Sequence, residues 1–439
     1  MVPATSREFR SPPGSRWIGP FRGSSGRATI ALIGLRIAYA YNWFDIGPAL
    51  PAVGSEFGVS GAGWGLLVAA FLVGAGALQV PAGFLASRFG TRSISMAGAG
   101  LLGLSAILSA LAPDFELLVL ARVLGGAGAG LFFSPAIGLV SSLHPEGQRG
   151  VPVGIFSSAF SAGAGLGVFV SALVVPQLGW RVALLIGGVL VLALLGIGEG
   201  LVPRSAGPPI VPGGRSGRGI PNALRSRGVW AIGVAFIGLE GASLSAGQFF
   251  VPYAQIVKGW APALAGAVGA LFVFPSVFGG PTGGQLAERF TNRRTQMLLF
   301  TAVPALFLGL IPWLGLAEVA LVAVFFSFTY GMVYAMMYIL PPYLPGLTED
   351  DTPLAIGLLN AIQLLGGSSV AFAVGLVVAA QGYTAAWELL GAVAVATLGF
   401  LALVPRTGRL PRSPGPPGGS GGSGQTTDRT DRSFDIPKN

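Results

Sequence analysis

The chain of 439 residues has no cysteine, a single histidine (His144), and only 10% charged residues. Without cysteine there is no disulfide framework, no thiol nucleophile and no cysteine-ligated zinc. One histidine leaves no cluster for a metal and no histidine-centred acid–base pair. A soluble domain carries about 25% charged residues, so this chain has too little polar surface to fold in water. No G-x-x-x-x-G-K-[ST] run occurs, so ATP is not the expected energy source. No cofactor and no metal are expected. What the sequence has instead is apolar length. Hydrophobic residues make up 52% of the chain, mean hydropathy is +0.72, and there are 70 glycines. Most of those glycines sit inside apolar runs, where they let membrane helices approach closely.

Spanning about 30 Å of hydrocarbon takes about 20 apolar residues in a helix. Twelve stretches qualify, near 28–53, 62–86, 93–113, 115–143, 150–176, 180–202, 229–255, 262–287, 295–313, 317–346, 353–380 and 383–404. Basic residues set the orientation, because basic loops stay on the cytoplasmic side. With both termini inside, 22 of the 26 lysines and arginines fall on the cytoplasmic side. Only Arg181 and Lys258 fall outside, while Arg36 and Arg122 lie within spans. The net charge of +9 is therefore a matter of topology, and no nucleic-acid partner is expected. Residues 1–27 and 405–439 are rich in Arg, Pro, Ser and Gly and are expected to be disordered cytoplasmic tails. The first tail has no apolar signal-peptide stretch, so the first span is expected to act as its own insertion signal. Residues 203–228, with prolines, glycines and five arginines, read as a cytoplasmic linker between halves at 28–202 and 229–404.

The halves repeat. GFLASRFGTRS at 83–93 and GQLAERFTNRR at 284–294 share six of eleven residues at an offset of 201, and the same offset relates Pro51 to Pro252. Both copies fall between the second and third spans of their half. The expected fold is an all-α membrane protein, with twelve transmembrane helices in two six-helix bundles related by internal repeat. Duplicated halves of this kind build many secondary transporters, with the substrate site between them at mid-membrane.

These residues resemble the major facilitator superfamily. The family loop motif G-x-L-A-D-R-x-G-x-R is matched at Gly83, Leu85, Ala86, Arg88, Gly90 and Arg92, with Ser87 where the motif has its acid. The second copy keeps Gly284, Glu288, Arg289 and Arg293 but has Thr291 in place of the glycine. A second motif, R-x-x-x-G-x-G, is matched by Arg122, Gly126 and Gly128, and Gly179-Trp180-Arg181 is also typical. The resemblance implies alternating access between two bundles, with the loop motifs as conformational switches. In the fifth span, Ala164 stands where proton/drug antiporters have proline, although Ala49-Leu50-Pro51 is similar to drug exporters.

A charge near mid-membrane costs at least about 2.5–3.5 kcal/mol on insertion scales, so each one needs an account. Asp45 lies about 12 Å and Arg122 about 10 Å from the outer ends of their helices at the helical rise. Their matching depth suggests a pair on helices that face the central cavity. Arg36, nine residues before Asp45, lies on the opposite helix face, either snorkelling to headgroups or binding an anion. Glu240 lies near the midplane with no base at its depth in its half, so it either carries a proton or meets water. Asp45, Arg122 and Glu240 are the candidates for proton coupling. Arg36, Tyr41, Asn42, Asn360 and Gln363 are the candidates for substrate contact. The expected function is transport of a small organic solute, an anion in one version, by proton-coupled symport in the plasma membrane. Proton-driven export of amphipathic drugs is the alternative. A membrane-embedded enzyme or a non-transporting sensor ranks third: the spans show no clustered catalytic groups, and the tails hold no folded sensor. The expected partners are the solute, protons and the bilayer, with the monomer as the functional unit.

In the family the loop acid holds the bundles together on the cytoplasmic face and favours the outward-open state. Ser87→Asp should restore that charge and shift the balance outward by about 1–2 kcal/mol, the scale of a charge at a helix end. Spin-label distances across the cytoplasmic ends of spans two and eleven would report the shift, and unchanged distance distributions would refute it.

Overall fold

The computed structural model describes residues 21, 23–207, 220–289, 293–341, 344–347 and 352–404. Both expected tails fall almost wholly outside these residues, as do linker positions 208–219, Thr291 and the side chains of Glu288, Arg289 and Arg293. The described chain is helical: α1 (Gly23–Phe44), α2 (Leu50–Phe57), α3 (Gly61–Phe89), α4 (Thr91–Ala110), α5 (Phe115–Ser142), α6 (Gly150–Leu178), α7 (Trp180–Leu201), α8 (Ile220–Arg225), α9 (Arg227–Ile256), α10 (Pro262–Ala270), α11 (Ser276–Arg289), α12 (Arg293–Leu310), α13 (Leu316–Ile339), α14 (Thr352–Gln381) and α15 (Tyr383–Leu398). Among the described residues, ten helices are long and apolar enough to cross a membrane. Large apolar side chains such as Leu104, Leu108, Val189 and Leu321 point outward and lie exposed, an arrangement suited to lipid rather than water.

Two expected spans are not single helices. The first is interrupted between α1 and α2 by a turn at Asp45–Ile46 and a short 3-10 helix, Gly47–Ala49. Pro48 contributes no N–H, and the chain tightens so that Ala49 N bonds Ile46 O at 3.0 Å. The eighth is interrupted between α10 and α11 by a turn at 271–275 ending in Pro275. There Leu271 N and Phe272 N bond carbonyls three residues back, at 3.0 and 3.1 Å. The freed Ser276 N–H donates instead to Ser327 Oγ on α13 at 3.1 Å. Within the expected linker, 220–225 forms the short helix α8.

Sharp reversals carry glycine with positive φ: Gly90 at 90°, Gly179 at 84° and Gly382 at 85°. A side chain there would be strained, which accounts for the glycine of the loop motif and for the one before Trp180-Arg181. At that second corner, Glu56 accepts a hydrogen bond from Trp180 Nε1 at 2.7 Å and another from the Arg181 guanidinium. The Arg181 contact holds the Glu56 carboxyl below the usual glutamate range.

In the N-terminal half α1 packs on α6 and α7, α5 on α3 and α4, and α4 on α7. In the C-terminal half α9 packs on α14 and α15, α13 on α11 and α12, and α12 on α15. The halves meet along α3 and α14, along α6 with α10 and α11, and where the Gly47 turn abuts α9. They include the end of α3 away from the Arg88 loop. Gln248 Nε2 donates to Trp43 O at 2.5 Å, and Gly61, Gly65 and Gly375 let α3 and α14 touch backbone to backbone.

A Cβ on Gly375 would sit 2.3 Å from Gly61 O and 2.6 Å from Gly65 Cα. Since both neighbours are backbone, neither can turn aside. Gly375→Val should destabilise this closed face by about 1–3 kcal/mol, the usual cost of overpacking, and populate a state open on that side. The chain has no native cysteine, so single cysteines placed at the ends of α3 and α14 can be tested directly for reagent access. Equal labelling in both proteins would refute the expectation.

Candidate functional site

The face where the halves look at one another is polar and aromatic. From the N-terminal half comes Arg36, 5% exposed on α1, its guanidinium carbon 4.4 Å from the ring centroids of Tyr39 and Phe133. Phe160 follows at 4.9 Å and Phe156 at 5.6 Å. Each contact lies within cation–π range, which is worth about 2 kcal/mol or more when desolvated. Among the described residues no carboxylate comes within 4 Å of Arg36. Its Nε and Nη1 are buried without a hydrogen-bond partner there. The snorkelling alternative therefore fails, because the rings hold the charge inside the protein.

Opposite stands a ladder on α13: Tyr330, Tyr334 and Tyr338, with successive ring centroids 5.5 and 5.0 Å apart. Tyr334 and Tyr338 lie within electrostatic reach of Arg36. Tyr330 donates to Glu240 Oε2 of α9 at 2.5 Å, so the carboxyl that lacks a base has a hydroxyl instead. Tyr338 OH lies 2.7 Å from Tyr334 OH and 2.5 Å from Asn360 Oδ1, and Gln363 Nε2 donates to Asn360 Oδ1 at 2.7 Å. Sequence reasoning missed the three tyrosines, although their spacing of four residues puts them on one helix face. It also missed Phe133, Phe156 and Phe160, because phenylalanine in an apolar helix carries no mark of its neighbours.

Asp45 and Arg122 meet elsewhere. Arg122 Nη1 lies 3.6 Å from Asp45 Oδ1, both side chains buried, inside the N-terminal half rather than on the face between halves. The guanidinium also donates to Asn42 O at 3.3 Å and lies 4.5 Å from the Phe71 ring centroid. It borders a small cavity shared with Ser105 and Ser109. Gly126 and Gly128 of the same motif bring α5 against the backbones of α3 and α4. Tyr41 and Asn42 share this interior: Tyr41 OH lies 3.4 Å from both Ser171 Oγ and Ala183 O, and Asn42 Nδ2 donates to Gly187 O at 3.0 Å. Among the described residues neither hydrogen-bonds to Asn360, Gln363 or the tyrosines of α13. In the loop motif, Arg92 ties α4 to the end of α7, donating to Glu199 Oε2 at 2.5 Å and to Val202 O at 3.1 Å. Ser87 and Arg88 are exposed, Ser87 Oγ donates only to Phe84 O of its own helix, and Gly83 and Gly284 have open space beside them.

The profile of the Major Facilitator Superfamily matches residues 32–348. The chain belongs to the Major Facilitator Superfamily. Among its relatives, the puromycin resistance protein pur8 of Streptomyces alboniger is 30% identical over 205 residues, 46% of this chain and 39% of that one. The 4-hydroxybenzoate transporter PcaK of Pseudomonas aeruginosa is 33% identical over 156 residues, 36% of this chain and 35% of that one. The matches thus span well under half the length of these relatives. A bacterial homologue of the human lysosomal transporter Spinster, solved inward-facing and occupied, superposes with a TM-score of 0.67 at 18% identity, covering 88% of this chain and 95% of that one. The chain is an integral, multi-pass membrane protein.

The Asp45–Arg122 pair makes a measurable prediction. Removing one partner of a buried pair strands the other charge, at about 3–5 kcal/mol in soluble proteins. Arg122→Gln should lower the melting temperature of the purified protein, and adding Asp45→Asn should restore part of the loss. A coupling energy of about 0.5–3 kcal/mol is the range for groups in contact. Strictly additive losses would mean that the two side chains do not interact.

Proposed function

We propose that this protein is a secondary active transporter with twelve spans in two six-helix bundles. It carries a small organic anion by proton-coupled symport through alternating access. The observation that carries this reading is the convergence of Arg36 from one half with Tyr334, Tyr338, Asn360 and Gln363 from the other, buried in the middle of an apolar helical protein. The interrupted segments α1–α2 and α10–α11 supply the first and eighth spans. The same packing pairs recur in both halves, in keeping with a repeat.

Each half buries a carboxyl, Asp45 with Arg122 and Glu240 with Tyr330. Asp45 is the residue assigned to the coupling proton. Its affinity for a proton is set by two opposed influences, burial and the guanidinium. Should opening on one side wet the pair and opening on the other separate it, proton affinity alternates with conformation. Coupling requires such differential affinity, since a ligand shifts a two-state equilibrium in no other way. A second reading, export of amphipathic drugs, draws on the similarity to pur8 and on the many rings lining the site. The unpaired Arg36 counts against cationic drugs.

A thermal-shift screen against metabolites and drugs identifies a ligand, because binding to the folded state raises its melting temperature. Uptake of that ligand into proteoliposomes, with and without an imposed pH gradient, then tests coupling. Asp45→Asn should abolish gradient-driven accumulation while leaving exchange measurable. Accumulation that survives the substitution would move the proton to another residue, Glu240 being the next.

A further inference from the structure

Inside the N-terminal half, the groups around Arg122 leave a balance of donors and acceptors that names a ligand. A guanidinium carries five N–H donors. Arg122 spends one of them on Asn42 O at 3.3 Å, and the same Nη1 lies 3.6 Å from Asp45 Oδ1. Its Nε and Nη2 are buried without a hydrogen-bond partner among the described residues. The cavity that Arg122 borders is lined also by Phe71 of α3, by Leu102, Ser105 and Ser109 of α4, and by Gly125 of α5. It has room for one water-sized molecule. Both serines are buried and have already given their protons away, Ser105 Oγ to Leu102 O at 2.9 Å and Ser109 Oγ to Ser105 O at 2.8 Å. What each hydroxyl keeps is lone pairs. Donors therefore border the cavity from α5, and acceptors border it from α4.

We infer that this cavity is a built water site, in which one water accepts from the Arg122 guanidinium and donates to the hydroxyl oxygens of Ser105 and Ser109. The other classes of small occupant fit worse. An apolar one leaves donors and lone pairs alike unpaired, and unmade buried hydrogen bonds are costly. A cation meets the guanidinium. An anion suits the guanidinium but faces the serine lone pairs, and Asp45 already matches the charge of Arg122. Water both accepts and donates, and a buried water makes about three hydrogen bonds to groups otherwise unsatisfied. Two features of the sequence build the site. Ser105 and Ser109 are four residues apart, so they share one face of α4. Gly125 leaves the room, since a Cβ there would lie 3.0 Å from Ser105 Oγ and 3.3 Å from the Phe71 ring. Water in this place also keeps Arg122 partnered whatever the charge on Asp45. A carboxylate that takes a proton ceases to be a counter-ion, and a buried cation stranded in that way is strongly destabilising.

Radiolytic footprinting of the full-length protein in nanodiscs tests this directly, because X-ray pulses turn a buried water into hydroxyl radicals that oxidise the side chains beside it. Phe71 and Leu102 line the cavity and are 2% and 1% exposed, so bulk water does not reach them. Both should be oxidised well above Phe272 and Leu390, which are as deeply buried and lie in the other half. Gly125→Ala puts a methyl group into the cavity and should abolish the oxidation of Phe71 and Leu102, with that of exposed side chains unchanged. Oxidation of Phe71 and Leu102 no higher than that of Phe272 would mean a dry cavity and overturn the inference. Oxidation that survives Gly125→Ala in the folded variant would put the water elsewhere and overturn it too. A melting temperature raised by chloride over gluconate at equal ionic strength, with the rise lost in Gly125→Ala, would make the occupant an anion instead. Should Gly125→Ala fail to fold, footprinting of the unaltered protein decides between a wet and a dry cavity by itself.

Discussion

Charge inside hydrocarbon has to be answered by something nearby, and three different answers organise this protein. Asp45 and Arg122 answer each other, 3.6 Å apart. Glu240 is answered by a tyrosine hydroxyl at 2.5 Å. Arg36 has only ring faces and free N–H groups. The first two arrangements lie within one half of the chain. The third is open, facing the other half. A cation with no counter-ion presents a standing demand for an anion.

That division depends on how the helices are held. Within the N-terminal half, Gly126 brings its backbone so near Phe71 O that an added Cβ would lie 1.9 Å from it. Close-packed interiors shift between discrete arrangements rather than deforming continuously. Between the halves lie the glycine seam of α3 and α14, the packing of α6 on α10, the bond from Gln248 to Trp43 O, and the Ser161–Ser276 hydroxyl contact at 2.6 Å. Such a seam can part without breaking either half. The interrupted segments lie at the seam too: the Gly47 turn abuts α9, and the turn before α11 ends at the Ser276 that touches Ser161.

How much of this was legible in the sequence depends on the coordinate in question. Depth was legible, because a fixed rise per residue converts position into distance along the membrane normal, and the two charges assigned a common depth are in contact. Opposition was legible as well: nine residues put Arg36 and Asp45 on opposite faces of α1. Which face looks at the cleft was not. Tyr41 and Asn42 are expected to contact substrate, yet both turn into the N-terminal half, toward Ser171 and Gly187. A soluble helix betrays its inward face by amphipathic contrast. In α1, α5 and α13 lipid, core and cleft faces are all built from apolar and aromatic residues, and the contrast is lost. Helix continuity failed for a related reason, since Pro81, Pro135 and Pro252 sit within helices while Pro48 and Pro275 mark breaks.

On the proposed symport reading, an unpaired cation on α1 and a paired carboxylate just past its end have a consequence for coupling. Arg36 lies in α1 and Asp45 in the turn directly after it, so an anion neutralising Arg36 alters the field at Asp45 through the body of α1 and not by direct contact. Proton and solute then need no shared site. They need only bias the same movement of the halves, each by its own difference in affinity between the two states. Linkage makes that influence reciprocal for binding: whatever the anion does for proton affinity at Asp45, the proton does for anion affinity at Arg36.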